Sequence, residues 1–116
     1  MNFPLQVQTT GEGPDLVMLH GWGMHSGVWQ TVVEALGKNF RLHCVDLPGH
    51  GRSHNSEALT TLAKWTECVA QTMRPRLAGP ACWCGWSLGG MVATQLAQNY
   101  PCLLYTSDAA DELRSV

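Results

Sequence analysis

Gly85-Trp86-Ser87-Leu88-Gly89, entered from the apolar run Ala81-Cys82-Trp83-Cys84, is the stretch on which the fold of this chain turns. The run has the length of a buried strand, the turn after it carries a serine, and Leu88 to about Asn99 has the spacing of a helix. A serine on so tight a turn sits in a strained backbone conformation. Side chains two residues before and after it would collide unless they were very small. Both positions are glycine, Gly85 and Gly89. The following helix turns its free N–H groups and the positive end of its dipole toward Ser87, which favours negative charge developing on a substrate oxygen. The pattern predicts an exposed serine nucleophile with part of its stabilising field in place. A plain glycine-rich turn with a solvated serine is the bland alternative, and the strand and helix on either side weigh against it.

Two further motifs precede the turn. His20-Gly21-Trp22-Gly23 follows the apolar run Leu16-Val17-Met18-Leu19, and Asp46-Leu47-Pro48-Gly49-His50-Gly51-Arg52-Ser53 closes the run Arg41 to Val45. From Met1 to about Pro101 the chain resembles the α/β-hydrolase superfamily, whose members carry H-G-x, D-x-P-G-x-G-x-S and G-x-S-x-G-G in this order. The resemblance implies an α/β fold, the N-terminal half of an α/β-hydrolase fold with a mostly parallel sheet flanked by helices. It makes Ser87 the nucleophile, and Trp22 and Leu88 the oxyanion and substrate contacts through their backbone N–H groups. Gly85 and Gly89 are then structural residues of the elbow, and the side chain of His20 is expected to bond the loop backbone. Asp46, Gly49, Gly51 and Ser53 read as a structural loop and His50 as a turn histidine, while His25, His43 and His54 are expected to face solvent or to pack.

Trp22 and Trp86 are more specific than the superfamily pattern. The stretches Leu19–Met24 and Gly85–Ala93 that hold them, with Val45–Gly49, resemble a branch of serine esterases acting on a methyl ester carried by an acyl-carrier protein. That resemblance implies an ester substrate with the carrier as transient partner. The two-step acyl transfer calls for no cofactor, a monomer is expected at full length, and the lack of a signal-peptide form or membrane-length segment makes a cytoplasmic location the expectation. A general carboxylesterase or lactonase, or another α/β-hydrolase such as a cofactor-free haloperoxidase-like enzyme, would share all three motifs.

One departure from the family governs what the chain can do. A serine hydroxyl needs a histidine to take its proton and an acid to hold that histidine in the right tautomer. All five histidines precede Ser87, whereas the family order runs serine, acid, histidine. Asp46 also lies before the serine, and Asp108, Asp111 and Glu112 follow it too closely. The triad acid and base are thus expected to be absent from this chain, leaving oxyanion stabilisation and binding, on the order of 1,000-fold over water. A hydrolase of this kind with its lid needs roughly twice this length. A truncated, catalytically inactive fragment is therefore the alternative for the 116 residues as they stand.

Hydrophobic spacing places the other elements. Phe3 to Gln8 reads as an edge strand and Leu16–Leu19 and Arg41–Val45 as buried ones. Gly27 to Lys38 reads as a helix with Val28, Val32, Ala35 and Leu36 inward, and Leu59 to Met73 as a helix capped by Thr60 or Thr61. Two segments are expected, residues 1–101 as a partial hydrolase domain and residues 102–116 as a non-native tail. Cys102 to Glu112 matches one reading frame of a transposase sequencing adapter, so it is set aside from the fold reading. A short C-terminal helix from Ser107 to Leu113 is the alternative.

The formal net charge of −2 offers no basic footprint for nucleic acid, and 14% charged residues fit a core-forming chain. No stretch has the length of a membrane span, and no N-terminal segment has the form of a signal peptide. Cys82 and Cys84 share one strand face with Trp83 on the other; with Cys44 and Cys68 they read as buried thiols rather than as a metal site. An odd count of five cysteines disfavours a disulfide framework.

Overall fold

The computed structural model describes residues 5–48, 50 and 61–104. The expectations for Phe3, Gly49, Gly51, Ser53, His54, Leu59, Thr60 and the acidic residues after Ser107 lie outside these. Four strands form one sheet, β1 (Val7–Thr10), β2 (Asp15–Leu19), β3 (Arg41–Val45) and β4 (Cys82–Gly85), in the order β1-β3-β2-β4. β1 runs antiparallel to β3, while β2 is parallel to both β3 and β4. Leu5 and Gln6, expected in the edge strand, lie outside β1, and this antiparallel strand makes the sheet mixed but mostly parallel.

The register brings the loops together. Leu19 pairs with Val45 on one side and with Gly85 on the other, so the three parallel strands end at one level. The segments that leave them, 20–25, 46–48 with His50, and 86–87, therefore gather at one end of the sheet, where open parallel sheets hold their sites.

The two faces are covered unequally. α2 (Leu62–Met73) and α3 (Leu88–Asn99) pack on one face against Val17, Leu19, Val45 and Trp83, burying Val69, Met73, Val92 and Leu96 completely. Each such side chain contributes about 1.5–3 kcal/mol. α2 starts where the Thr61 hydroxyl accepts the Lys64 N–H at 3.2 Å, and Pro75 lies in the 3-10 turn Arg74–Arg76 that follows it. The indole of Trp83 donates to the Leu103 carbonyl at 3.0 Å, and Leu103 and Leu104 are buried beside it.

The other face holds a smaller cluster, Met18, Leu42, Cys44 and Trp29, under α1 (Gln30–Leu36). Here the expected helix is corrected. Residues 26–29 form a 3-10 turn and α1 begins only at Gln30. The tighter turn shifts the phase, so Trp29 goes inward while Val28 and Ala35 are exposed. A second correction concerns Cys82 and Cys84, which are half-buried rather than buried, although Trp83 does occupy the opposite, fully buried face. Their strand lies at the edge of the described sheet, with less packed over that side. Burial does push the Cys44 thiol up to about 11.

Candidate active site

Ser87 has φ 58° and ψ −114°, and it is the one non-glycine residue with positive φ among the described residues. Such a conformation costs on the order of 1–3 kcal/mol and persists only where the surroundings over-determine it. The Trp86 N–H donates to the Leu19 carbonyl at 3.0 Å and the Gly89 N–H to the Trp86 carbonyl at 3.0 Å, so the turn is tied both to β2 and to itself. A Cβ on Gly85 would fall on the backbone of Gly89, and one on Gly89 would fall on the Leu19 carbonyl. No side chain could move aside to make room. α3 begins at Leu88, and N–H groups of a first helical turn have no acceptor within the helix.

The loop after β2 closes on this turn. A Cβ on Gly21 would lie 3.1 Å from the Trp86 carbonyl oxygen and 3.3 Å from the Ser87 Cβ, so the Gly21–Trp22 backbone passes directly beside the serine. His20 is fully buried beneath it. Its Nδ1–H donates to the Gly21 carbonyl at 2.7 Å and its Nε2 accepts the Leu47 N–H at 3.0 Å, which sets a neutral imidazole. Burial also lowers its pKa, outweighing the Gly21 hydrogen bond. The bonded peptide is the one whose N–H belongs to Trp22. His20 thus orients the peptide of the expected oxyanion donor.

Around the loop stand the other residues singled out in sequence. Asp46 is buried and its Oδ1 accepts the Ser26 N–H at 2.6 Å, a loop-bracing role. His50 accepts the Gly23 N–H through Nε2 at 2.9 Å and donates from Nδ1 to the Pro48 carbonyl at 3.0 Å. His25 caps the 3-10 turn by accepting the Gly27 N–H at 2.9 Å. The indole of Trp22 is 70% exposed, and with Trp86 at 52% and Met91 at 55% it gives this end of the sheet an open apolar surface. A cleft of about 320 Å³ lined by Gln6, Gln8, His25, Ser26 and Asp46 opens nearby, but Ser87 does not line it. Among the described residues no group of three His, Cys, Asp or Glu side chains could hold a metal ion, and no helix is long and apolar enough to cross a membrane.

Sequence reasoning missed one buried polar group. His43 packs fully buried in the sheet, donating from Nε2 to Asp15 Oδ1 at 2.8 Å and meeting the Thr9 hydroxyl at Nδ1 at 3.0 Å. Burial raises the Asp15 pKa, but hydrogen bonds from His43 and from the Ala78 N–H outweigh it and hold the carboxyl below its usual range. This trio does not involve Ser87. It braces β1, β2 and β3 and ties them to the segment before β4. The one legible signal was the position of His43 in Arg41-Leu42-His43-Cys44-Val45, two residues from Val45 and hence on the same covered face. Each described histidine therefore has a partner other than Ser87.

A four-stranded, mostly parallel sheet with helices on both faces, a strained serine at its carboxyl end and a His-Gly loop beside it define the class. The chain belongs to the alpha/beta hydrolase family, whose model matches residues 16–114. It is 58% identical over 97 residues to the pimeloyl-[acyl-carrier protein] methyl ester esterase of Nitrosomonas europaea, a match covering 84% of this chain and 36% of that protein. The protein of the same name from Vibrio vulnificus is 50% identical over 100 residues, covering 86% of this chain and 37% of its own length. The chain thus spans little more than a third of these relatives. Among solved structures, the enol-lactonase of Burkholderia xenovorans superposes with a TM-score of 0.80 at 29% identity, over 86% of this chain and 40% of the other.

Proposed function

We propose that the complete protein carrying these residues is a serine carboxylic-ester hydrolase that cleaves the methyl ester of a pimeloyl group on acyl-carrier protein, a step of biotin synthesis. The observation that carries the reading is the strained Ser87, held between two glycines that admit no side chain; the names of the relatives supply the substrate. Ser87 Oγ attacks the ester carbonyl while its proton passes to a histidine. The oxyanion rests on the N–H groups of Trp22 and Leu88, methanol leaves with the proton, and water then hydrolyses the acyl-enzyme. The reaction so written needs no metal or organic cofactor. The histidine and its acid come, in this reading, from sequence outside residues 1–116. The carrier protein is the transient partner, and the enzyme works as a cytoplasmic monomer.

Residues 102–116 belong to this proposal as a non-native tail, although the family match runs to residue 114 and Leu103 and Leu104 pack against the core. Sequencing the source DNA across the codons for Pro101 and Cys102 decides the point, since a frame continuing into new strands and a late histidine is the expected result. The likeness to an enol-lactonase keeps a broader esterase or lactonase as the second reading. Comparing hydrolysis of a pimeloyl methyl ester on acyl-carrier protein with that of p-nitrophenyl acetate and an enol-lactone separates the two. Ser87→Ala should lower kcat by on the order of a million-fold and abolish fluorophosphonate labelling; a labelled Ser87→Ala enzyme would remove Ser87 from its role.

A further inference from the structure

We propose that His50 and Trp65 are positioning residues for the oxyanion loop, acting on Trp22 from two separate elements; the inference rests on the serine-esterase reading above. Trp22 lies between two peptide planes. The first, Gly21–Trp22, is gripped at its carbonyl by His20. The second, Trp22–Gly23, is gripped at its N–H by His50 Nε2. With both planes held, the backbone angles of Trp22 are set, and so is the direction of its own N–H.

The loop needs such external support. The Trp22 side chain is 70% exposed, so burial does not anchor it. Gly23 has φ 76°, in the region where glycine alone is at ease, and open space lies where its Cβ would be. What touches Trp22 instead is a set of rings. Its indole stacks on that of Trp65 with centroids 6.2 Å apart and planes 11° from parallel. The His50 imidazole stands edge-on to both, 5.3 Å from Trp22 and 5.9 Å from Trp65. Trp65 sits in the first turns of α2, whose later turns are locked in the core by Val69 and Met73. α2 therefore lends its rigidity to a loop that has no apolar anchor of its own.

His50 can serve only as an acceptor toward Gly23, because its Nδ1–H is spent on the Pro48 carbonyl. Glutamine keeps an acceptor near the position of Nε2, and alanine does not. In the full-length enzyme, His50→Ala is expected to lower kcat by about tenfold with KM nearly unchanged, and to weaken a boronic-acid transition-state analogue by the same factor. His50→Gln and Trp65→Phe should recover most of both, whereas Trp65→Ala should behave like His50→Ala. Melting temperatures read beside the kinetics separate positioning from unfolding. If His50→Ala does not fold, the Gln and Phe variants carry the test against the unsubstituted enzyme, each expected to remain within about threefold of its kcat. A His50→Ala enzyme with kcat and boronate affinity intact would overturn the proposal. So would a Gln variant no better than Ala at equal melting temperature. If the unsubstituted enzyme neither hydrolyses esters nor labels at Ser87, the esterase reading fails and this proposal falls with it.

Discussion

Residues 85–89 and residues 20–25 meet at Ser87, and they reach their shapes by different means. The elbow is backbone against backbone, since Gly85 abuts Gly89, Gly89 abuts the Leu19 carbonyl, and two N–H···O bonds of 3.0 Å close the turn. The loop is backbone held by side chains from elsewhere. His20 bonds Gly21 and reaches Leu47, His50 bonds Gly23, and Trp65 supports Trp22. A turn of the first kind admits no side chain at Gly85 or Gly89 and is fixed by backbone contacts, those to β2 included. A loop of the second kind takes its geometry from side chains 27 and 43 positions away.

Substitutions at the two sites should therefore fail differently. Gly89→Val brings the largest structural loss, because its Cβ meets carbonyls that cannot retreat. We expect destabilisation of about 3 kcal/mol or more and no activity, read by thermal melting of the full-length protein; lost activity at an unchanged melting temperature would contradict the steric role. His20→Ala comes next, at about 2 kcal/mol, since it leaves the buried Leu47 N–H without its acceptor. This residue also carries a pH signature. Its folded pKa is lowered from 6.5, so the unfolded chain binds the proton more readily and stability is lost as pH falls below 6.5. His20→Ala should flatten the melting temperature between neutral and mildly acidic pH, and an unflattened profile would assign the acid sensitivity elsewhere. The smallest effect belongs to Thr61→Ala, which removes the cap of α2 and costs about 1 kcal/mol. Because α2 carries Trp65, the same variant should loosen the loop while leaving the elbow unchanged, visible as a small fall in kcat without loss of Ser87 labelling.

The site was legible in sequence to unequal degrees for the same reason. Strands at Arg41–Val45 and around Leu16, and the helix from Leu88 to Asn99, were readable because their apolar spacing is local. The start of α1 was not, because whether Val28 or Trp29 turns inward depends on packing against Met18 and Cys44, not on spacing. The role of His43 escaped as well, since its partners Thr9 and Asp15 come from two other strands.

Sequence by itself determined the elbow and the family, because a strained turn forbids side chains at fixed neighbours and those neighbours are written two residues away on either side. Tertiary structure alone decided how the facing loop is held. The register that ends β2 and β3 at one level brings His50 to Trp22, the packing of α2 brings Trp65, and neither contact leaves a periodic mark along the chain.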